Sequence, residues 1–188
     1  VSMCDNLDNI RIELEKCKRC PLWKTRTKVV PGEGASGGLM LVGEAPGKDE
    51  DLQGRPFVGR AGKLLESSLE AAGITRESVY ITNVVKCRPP GNRKPRSNEV
   101  MACKPYLFRE LNIVKPSAIL LMGNTAAFAL IGKRSVSSSR GRIEIAQGYP
   151  AIVTFHPAAM LRNPALRPLF MQDLLEALQM TNTKDNPI

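Results

Sequence analysis

Apolar residues fall along this chain in two rhythms. Short unbroken runs, "LMLVG" at 39–43, "VYITNVVKC" at 79–87, "SAILLMG" at 117–123 and "AIVTFHP" at 151–157, read as buried strands. Longer segments between them place apolar residues on one face at helical spacing. "GKLLESSLEAAG" at 62–73 sets Leu64, Leu65, Leu69 and Ala72 to one side and stops at Gly73. Ser97 is expected to cap a helix running to about Ile113, with Val100, Met101, Leu107, Phe108 and Leu111 inward and a bend at Pro105. "NTAAFALIG" reads as a short helix, and "PLFMQDLLEALQM" at 168–180 as a closing amphipathic one. Strands alternating with helices predict an α/β fold: three layers, α/β/α, around a mostly parallel four-stranded central sheet. "GKRSVSSSRGR" at 132–142 reads as a surface loop or hairpin edge. With no repeat and no linker, residues 1–188 form a single domain, with an N-terminal helix or arm at 1–16 and a tail at 181–188 peripheral to it.

Charge narrows the partners. The 188 residues carry 27 Lys and Arg against 18 Asp and Glu, a net +9. That balance suits a polyanion, nucleic acid before an anionic membrane. The start is polar, without the apolar block of a signal peptide, and "AILLMGNTAAFALIG" is too short and broken to span a bilayer. A cytoplasmic protein without membrane association is expected. In a reducing compartment its five cysteines are ligands or free thiols before they are disulfides.

Ligands of such folds sit beyond the carboxyl ends of the strands. "VGEAPGKDEDLQGRPFVGRAGK" at 42–63 follows the first strand and mixes glycines with Glu44, Asp49, Glu50 and Asp51. It is not a phosphate loop. "GEGASG" at 32–37 has the dinucleotide spelling but precedes a strand; "GEAPGK" and "GRAGKL" lack the Walker spacing and its following Ser or Thr. Acids would also repel a triphosphate.

Cys17 and Cys20 form C-x2-C, and Cys87 and Cys103 stand where a strand end and a helix could approach them. Four thiols can close a metal centre, though spacing leaves zinc and an iron–sulfur cluster equally open. Cys4 is left over as a free thiol. His156, the only histidine, ends a strand before Pro157. Asn83 interrupts a strand of Tyr, Ile, Thr and Val, where asparagine is disfavoured, so its amide is a candidate ligand group. Phe57, in a Gly-rich loop, offers a ring for stacking.

In this order, Cys17 and Cys20, "GEAPGKDED" at 43–51, "GRPFVGRAGKLL" at 54–65, "TNVVKCRPP" at 82–90, Cys103 and "HPAAMLRNP" at 156–164 resemble the iron–sulfur (type 4) uracil-DNA glycosylases. The resemblance spans nearly the whole chain. It implies a uracil-DNA-glycosylase-like fold, a structural [4Fe-4S] cluster at Cys17, Cys20, Cys87 and Cys103, and excision of uracil flipped out of single- or double-stranded DNA by a monomeric repair hydrolase. It implies that Phe57 stacks on the base, Asn83 reads its Watson–Crick edge, the backbone of Gly43, Glu44 and Ala45 meets O2, and His156 stabilises charge growing on O2.

Better-known uracil-DNA glycosylases have a water-activating aspartate where this chain has Ala45, and a thymine-excluding tyrosine where it has Gly47. The water or sugar-cation role is therefore assigned to a carboxylate of the loop, Glu50 first, and thymine exclusion to Glu44. Arg88, Arg93, Lys94 and Arg96 in "RPPGNRKPR" suit DNA phosphates. In "AAMLRN", Met160 or Leu161 is expected to wedge into the duplex with Arg162 near phosphate; otherwise both are core. Two rivals stand beside this reading: a zinc- or cluster-stapled nucleic-acid-binding module without excision, and an α/β enzyme acting on free nucleotides.

Overall fold

The structure is a computed structural model describing residues 5–182, so Cys4 and all but the first two residues of the 181–188 tail lie outside it. Among the described residues one sheet has six strands: β1 (Glu33–Gly34), β2 (Leu39–Gly43), β3 (Tyr80–Asn83), β4 (Ala118–Met122), β5 (Ile143–Ala146) and β6 (Tyr149–Thr154), in the order β1-β3-β2-β4-β6-β5. The four expected parallel strands are its centre. Two short antiparallel edges, β1 on β3 and β5 on β6, were not read from the sequence. Neither has an apolar run: Ile143 and Ile145 of β5 face solvent.

The helices are α1 (Leu7–Lys16), α2 (Lys48–Gln53), α3 (Arg60–Ala71), α4 (Ser97–Val114), α5 (Asn124–Ile131), α6 (Val136–Ser139), α7 (Pro157–Arg162) and α8 (Arg167–Asn182). Strand alternation feeds two cores. Met40, Val42, Ile119 and Leu121 pack one face against Ile10 and Leu14 of α1, Leu107 and Leu111 of α4, and Ala126 of α5. Leu39, Leu41, Leu120 and Ile152 pack the other against Leu65 and Leu69 of α3 and Phe170 and Leu174 of α8. This is the α/β/α sandwich, each of the central parallel strands covered on both faces.

Local details depart from expectation. The 79–87 run stops being strand at Asn83, where the chain turns and Val84 N–H and Val85 N–H donate back to the carbonyls of Gly43 and Glu44. Ser97 lies inside the first turn of α4 instead of capping it. Arg96 is the N-cap, and the Glu99 carboxylate accepts from its N–H at 2.7 Å. Met101 points out, 63% exposed. The 132–142 segment contains α6 and leads into the β5–β6 hairpin, whose Gln147 and Gly148 both adopt positive φ. No described helix is long and apolar enough to cross a membrane.

The order β3-β2-β4 makes β2 the point from which successive connections leave in opposite directions, so the loops part above its carboxyl end and leave a crevice. Because Leu120 sits fully buried at the centre of that sheet, Leu120→Ala should lower the unfolding free energy by about 2–5 kcal/mol, read as an earlier urea midpoint at unchanged slope.

Candidate active site

The crevice is a cleft of about 770 Å³, within the range of small-ligand sites. Gly43 ends β2 beside Asn83 of β3. A Cβ on Gly43 would lie 2.4 Å from Phe57 Cζ and 2.6 Å from Asn83 Oδ1, so only glycine lets the ring and the amide meet over this strand end. Phe57 is buried with φ of 52°, a left-handed conformation costing a non-glycine residue about 1–2 kcal/mol. Its ring lies 5.6 Å from that of His156, tilted by 31°.

Asn83 Oδ1 is the one buried side-chain N or O atom among the described residues without a hydrogen-bond partner. An orphaned acceptor in a folded interior costs about 1–3 kcal/mol. The Asn83 backbone is pinned: Lys86 Nζ donates to its carbonyl at 2.7 Å and to Thr82 Oγ1. Lys86 is completely buried and paired with equally buried Glu110. Glu110 also accepts from Thr82 Oγ1, Tyr80 Oη and Gly32 N–H.

His156 caps α7. Its Nδ1 accepts from Ala158 N–H at 3.1 Å, which places the ring's proton on Nε2. Burial, with Arg162 adding to it, pushes its pKa down to about 4, so the imidazole is neutral at physiological pH. Glu44 lines the same cleft, its carboxylate accepting a short hydrogen bond from the Thr125 hydroxyl at the start of α5.

The acidic loop divides its labour. Glu50 Oε2 accepts from Gly47 N–H at 3.1 Å, and Oε1 from Val58 and Gly59 N–H at 3.0 and 2.9 Å. Both oxygens accept from backbone N–H, so Glu50 braces the two lips of the loop from its place in the cleft wall. Asp51 is likewise a brace, accepting from Thr27 and Lys28 N–H. Asp49 is exposed on the cleft beside Gly59.

Of the cations read from sequence, Arg93, Lys94 and Arg162 line the cleft; Arg88 and Arg96 do not. Arg93 gives its fork to Glu99 at 2.7 and 2.8 Å, and Arg88 Nε donates to Asn92. Lys48 and Arg60 also line the cleft, exposed, at the first turns of α2 and α3. Met160 is fully buried in the core beneath α7 and reaches no surface, which corrects its reading as a wedge. Its neighbour Leu161 is half-buried.

Cys17, Cys20, Cys87 and Cys103 line one small pocket, and none is disulfide-bonded. Cys87 Sγ accepts from Arg26 Nη1 and Cys103 Sγ from Lys86 N–H, donors that suit thiolate sulfur. Burial raises the Cys20, Cys87 and Cys103 thiols, the last to about 12. Among the described residues no group of three or more His, Cys, Asp and Glu is arranged to hold a metal ion.

Lys86, Glu110, Thr125, Lys48 and Arg60 escaped the sequence reading. Lys86 alone left a signal, a lone cation inside an apolar run.

A family model described as the uracil DNA glycosylase superfamily matches residues 31–179. The type-4 uracil-DNA glycosylase of Saccharolobus solfataricus is 44% identical over 96% of this chain and 88% of its own length. Those of Pyrobaculum aerophilum and Thermotoga maritima are each 46% identical, over 90% and 87% of this chain and 91% and 88% of theirs. The chain belongs to the uracil-DNA glycosylase superfamily and, within it, to the type-4 uracil-DNA glycosylases.

Because His156 is the only histidine, its ring protons titrate alone in an NMR spectrum. They should move with a midpoint near 4, showing no step at the ordinary 6.5. The unfolded chain binds this proton first, so His156 contributes its full stability above about 6.5 and loses it as pH falls toward 4. Lys86→Met strands Glu110 without its buried partner and should cost about 3–5 kcal/mol in urea unfolding, an effect Lys86→Met with Glu110→Leu partly recovers.

Proposed function

We propose that this protein, through a single domain, excises uracil from DNA as a monofunctional glycosylase of base-excision repair. Uracil flipped from the duplex enters the strand-end cleft, and hydrolysis of its bond to deoxyribose leaves an abasic site. The observation that carries this reading is the orphaned Asn83 Oδ1 at the cleft. Uracil offers it the N3–H donor it lacks, while the amide N–H reaches O4. Cytosine presents an unprotonated N3 and an amino group, so it would leave Asn83 with the wrong partner on both atoms.

The rest of the site supports the same chemistry. The Phe57 ring gives the base a stacking surface. The backbone of Gly43, Glu44 and Ala45 and the Nε2–H of His156 lie on the O2 side. A neutral donor there strengthens as the departing uracil takes on negative charge, which is where a hydrogen bond lowers the barrier. The sugar becomes cationic as the bond breaks, and the acid loop faces it. Asp49, whose carboxylate is not tied to backbone, is the group placed to orient water, with Glu50 holding the loop in shape. Glu44, steadied by Thr125 in the cleft wall, works against the methyl group of thymine. Lys94, Arg162, Lys48 and Arg60 receive backbone phosphates, Leu161 occupies the gap left by the flipped nucleotide, and Arg88, Arg93 and Arg96 stiffen or flank that rim.

The four thiols suit a [4Fe-4S] cluster: all four line one pocket, and donors point at the sulfurs of Cys87 and Cys103. When bound, it supplies a covalent cross-link between the segment after α1, the end of the 84–87 turn and α4, and no electron is needed for excision. The reading places a monomer in the cytoplasm, acting on single- or double-stranded DNA. A nucleic-acid-binding module without excision is not favoured, since the similar curated proteins are uracil-DNA glycosylases by name.

Purified protein mixed with an oligomer carrying one uracil, then alkali, should cut at uracil and leave the matched thymine oligomer whole. No cut from folded protein sinks the proposal. Asn83→Ala removes two hydrogen bonds to the base and should lower kcat/KM by about a hundredfold, at an unchanged melting temperature.

A further inference from the structure

Phe57 cannot hold its own backbone. Its φ of 52° is unfavourable, it sits in a loop, and a Cβ on Gly62 of α3 would come within 2.0 Å of its carbonyl oxygen. What holds it is a residue outside the cleft. Arg76, in the short helical turn before β3, donates from Nη1 to the Phe57 carbonyl at 2.7 Å and from Nη2 to the Pro56 carbonyl. The same Nη2 meets Glu33 of β1 at 3.0 Å. Glu33 is gripped from its other side by Arg55, at 2.8 and 3.1 Å. The Arg76 side chain is only 9% exposed.

We infer that Arg76 is a positioning residue for base binding, acting through Phe57: its guanidinium fixes two successive carbonyls and so sets the plane of the ring on which uracil lies. This rests on the uracil reading above. Two features make arginine the residue for the task. Its planar fork serves two acceptors at a fixed spacing, where an ammonium is a single point donor. Its anchor, Glu33, belongs to the edge strand paired with β3, so the ring is referenced to the same strand that carries Asn83. Stacking ring and edge-reading amide are thereby held in one frame, although they lie far apart in sequence.

The test compares wild type, Arg76→Met, Arg76→Lys, Phe57→Ala and Arg76→Met with Phe57→Ala. It measures kcat and KM on the uracil oligomer, inhibition by free uracil, and the melting temperature. Arg76→Met should weaken inhibition by free uracil and lower kcat/KM by about tenfold or more, with Arg76→Lys between it and wild type. KM for the oligomer, governed by phosphate contacts, should change far less than kcat. On the Phe57→Ala background the same substitution should add no more than about twofold, because the group it acts through is gone. Equal uracil inhibition in wild type and Arg76→Met, or losses that multiply in the double variant, would overturn the inference while leaving the glycosylase reading intact. If Arg76→Met fails to fold, Arg76→Lys decides by the same two measures. A wild type that leaves uracil in place would overturn the proposed function, and this inference with it.

Discussion

A buried ammonium and a buried carboxylate, Lys86 and Glu110, sit where the strand that ends at Asn83 meets the helix that carries Cys103. Removing two such charges from water is costly, and their mutual attraction offsets that cost only when every remaining donor and acceptor is also met. Here they are met. The ammonium has Thr82 Oγ1, the Asn83 carbonyl and Glu110; the carboxylate adds Tyr80 Oη and Gly32 N–H. The result is directional in a way that an apolar pair of the same volume is not. It fixes the Asn83 main chain at the point where the strand stops, and with it the amide that faces the cleft. Lys86 reaches the thiol pocket too, since its own N–H donates to Cys103 Sγ. One ion pair thus sets the relation between β3, the chain leading into β1, α4 and the cysteines.

Around that fixed point the charges are sorted by depth. Glu44, Asp49 and Glu50 line the cleft, Glu44 tied to a hydroxyl and Glu50 to backbone amides, while Lys48, Arg60, Lys94 and Arg162 line it as exposed cations. The cations stand at the surface, and of the three acids only Asp49 is exposed with them. Glu50 joins the two halves of the acidic loop, tying Gly47 to Val58 and Gly59, so the lips of the cleft are one body.

The central architecture was legible because strands buried on both faces must be written in continuous apolar residues, and those runs are plain at 39–43, 117–123 and 151–157. The edge strands were not, since β1 has two residues and β5 exposes its isoleucines. Asn83, His156 and the four cysteines stood out as residue types at odds with their surroundings. Glu50 also stood out, but its partners are backbone amides, which no sequence pattern reveals, so its bracing of the loop was not legible. Met160 failed for a related reason: a six-residue helix presents one side to the core, and spacing alone did not say which. Glu110 and Thr125 were invisible because each acts on a segment 78 or 81 positions away.

Residues 26–30 form a leash that ties two parts of the molecule by hydrogen bonds. Arg26 donates to Cys87 Sγ, Thr27 and Lys28 N–H to Asp51, and Val30 N–H to the Lys86 carbonyl. At one end is the sulfur pocket, at the other the acid loop. Slack introduced at the sulfurs is therefore passed along five residues to α2, and the cleft would lose the shape of its acidic wall while the floor made by β2 and β3 still stood. The cysteines, though they line a separate pocket, are in this sense part of what shapes the cleft.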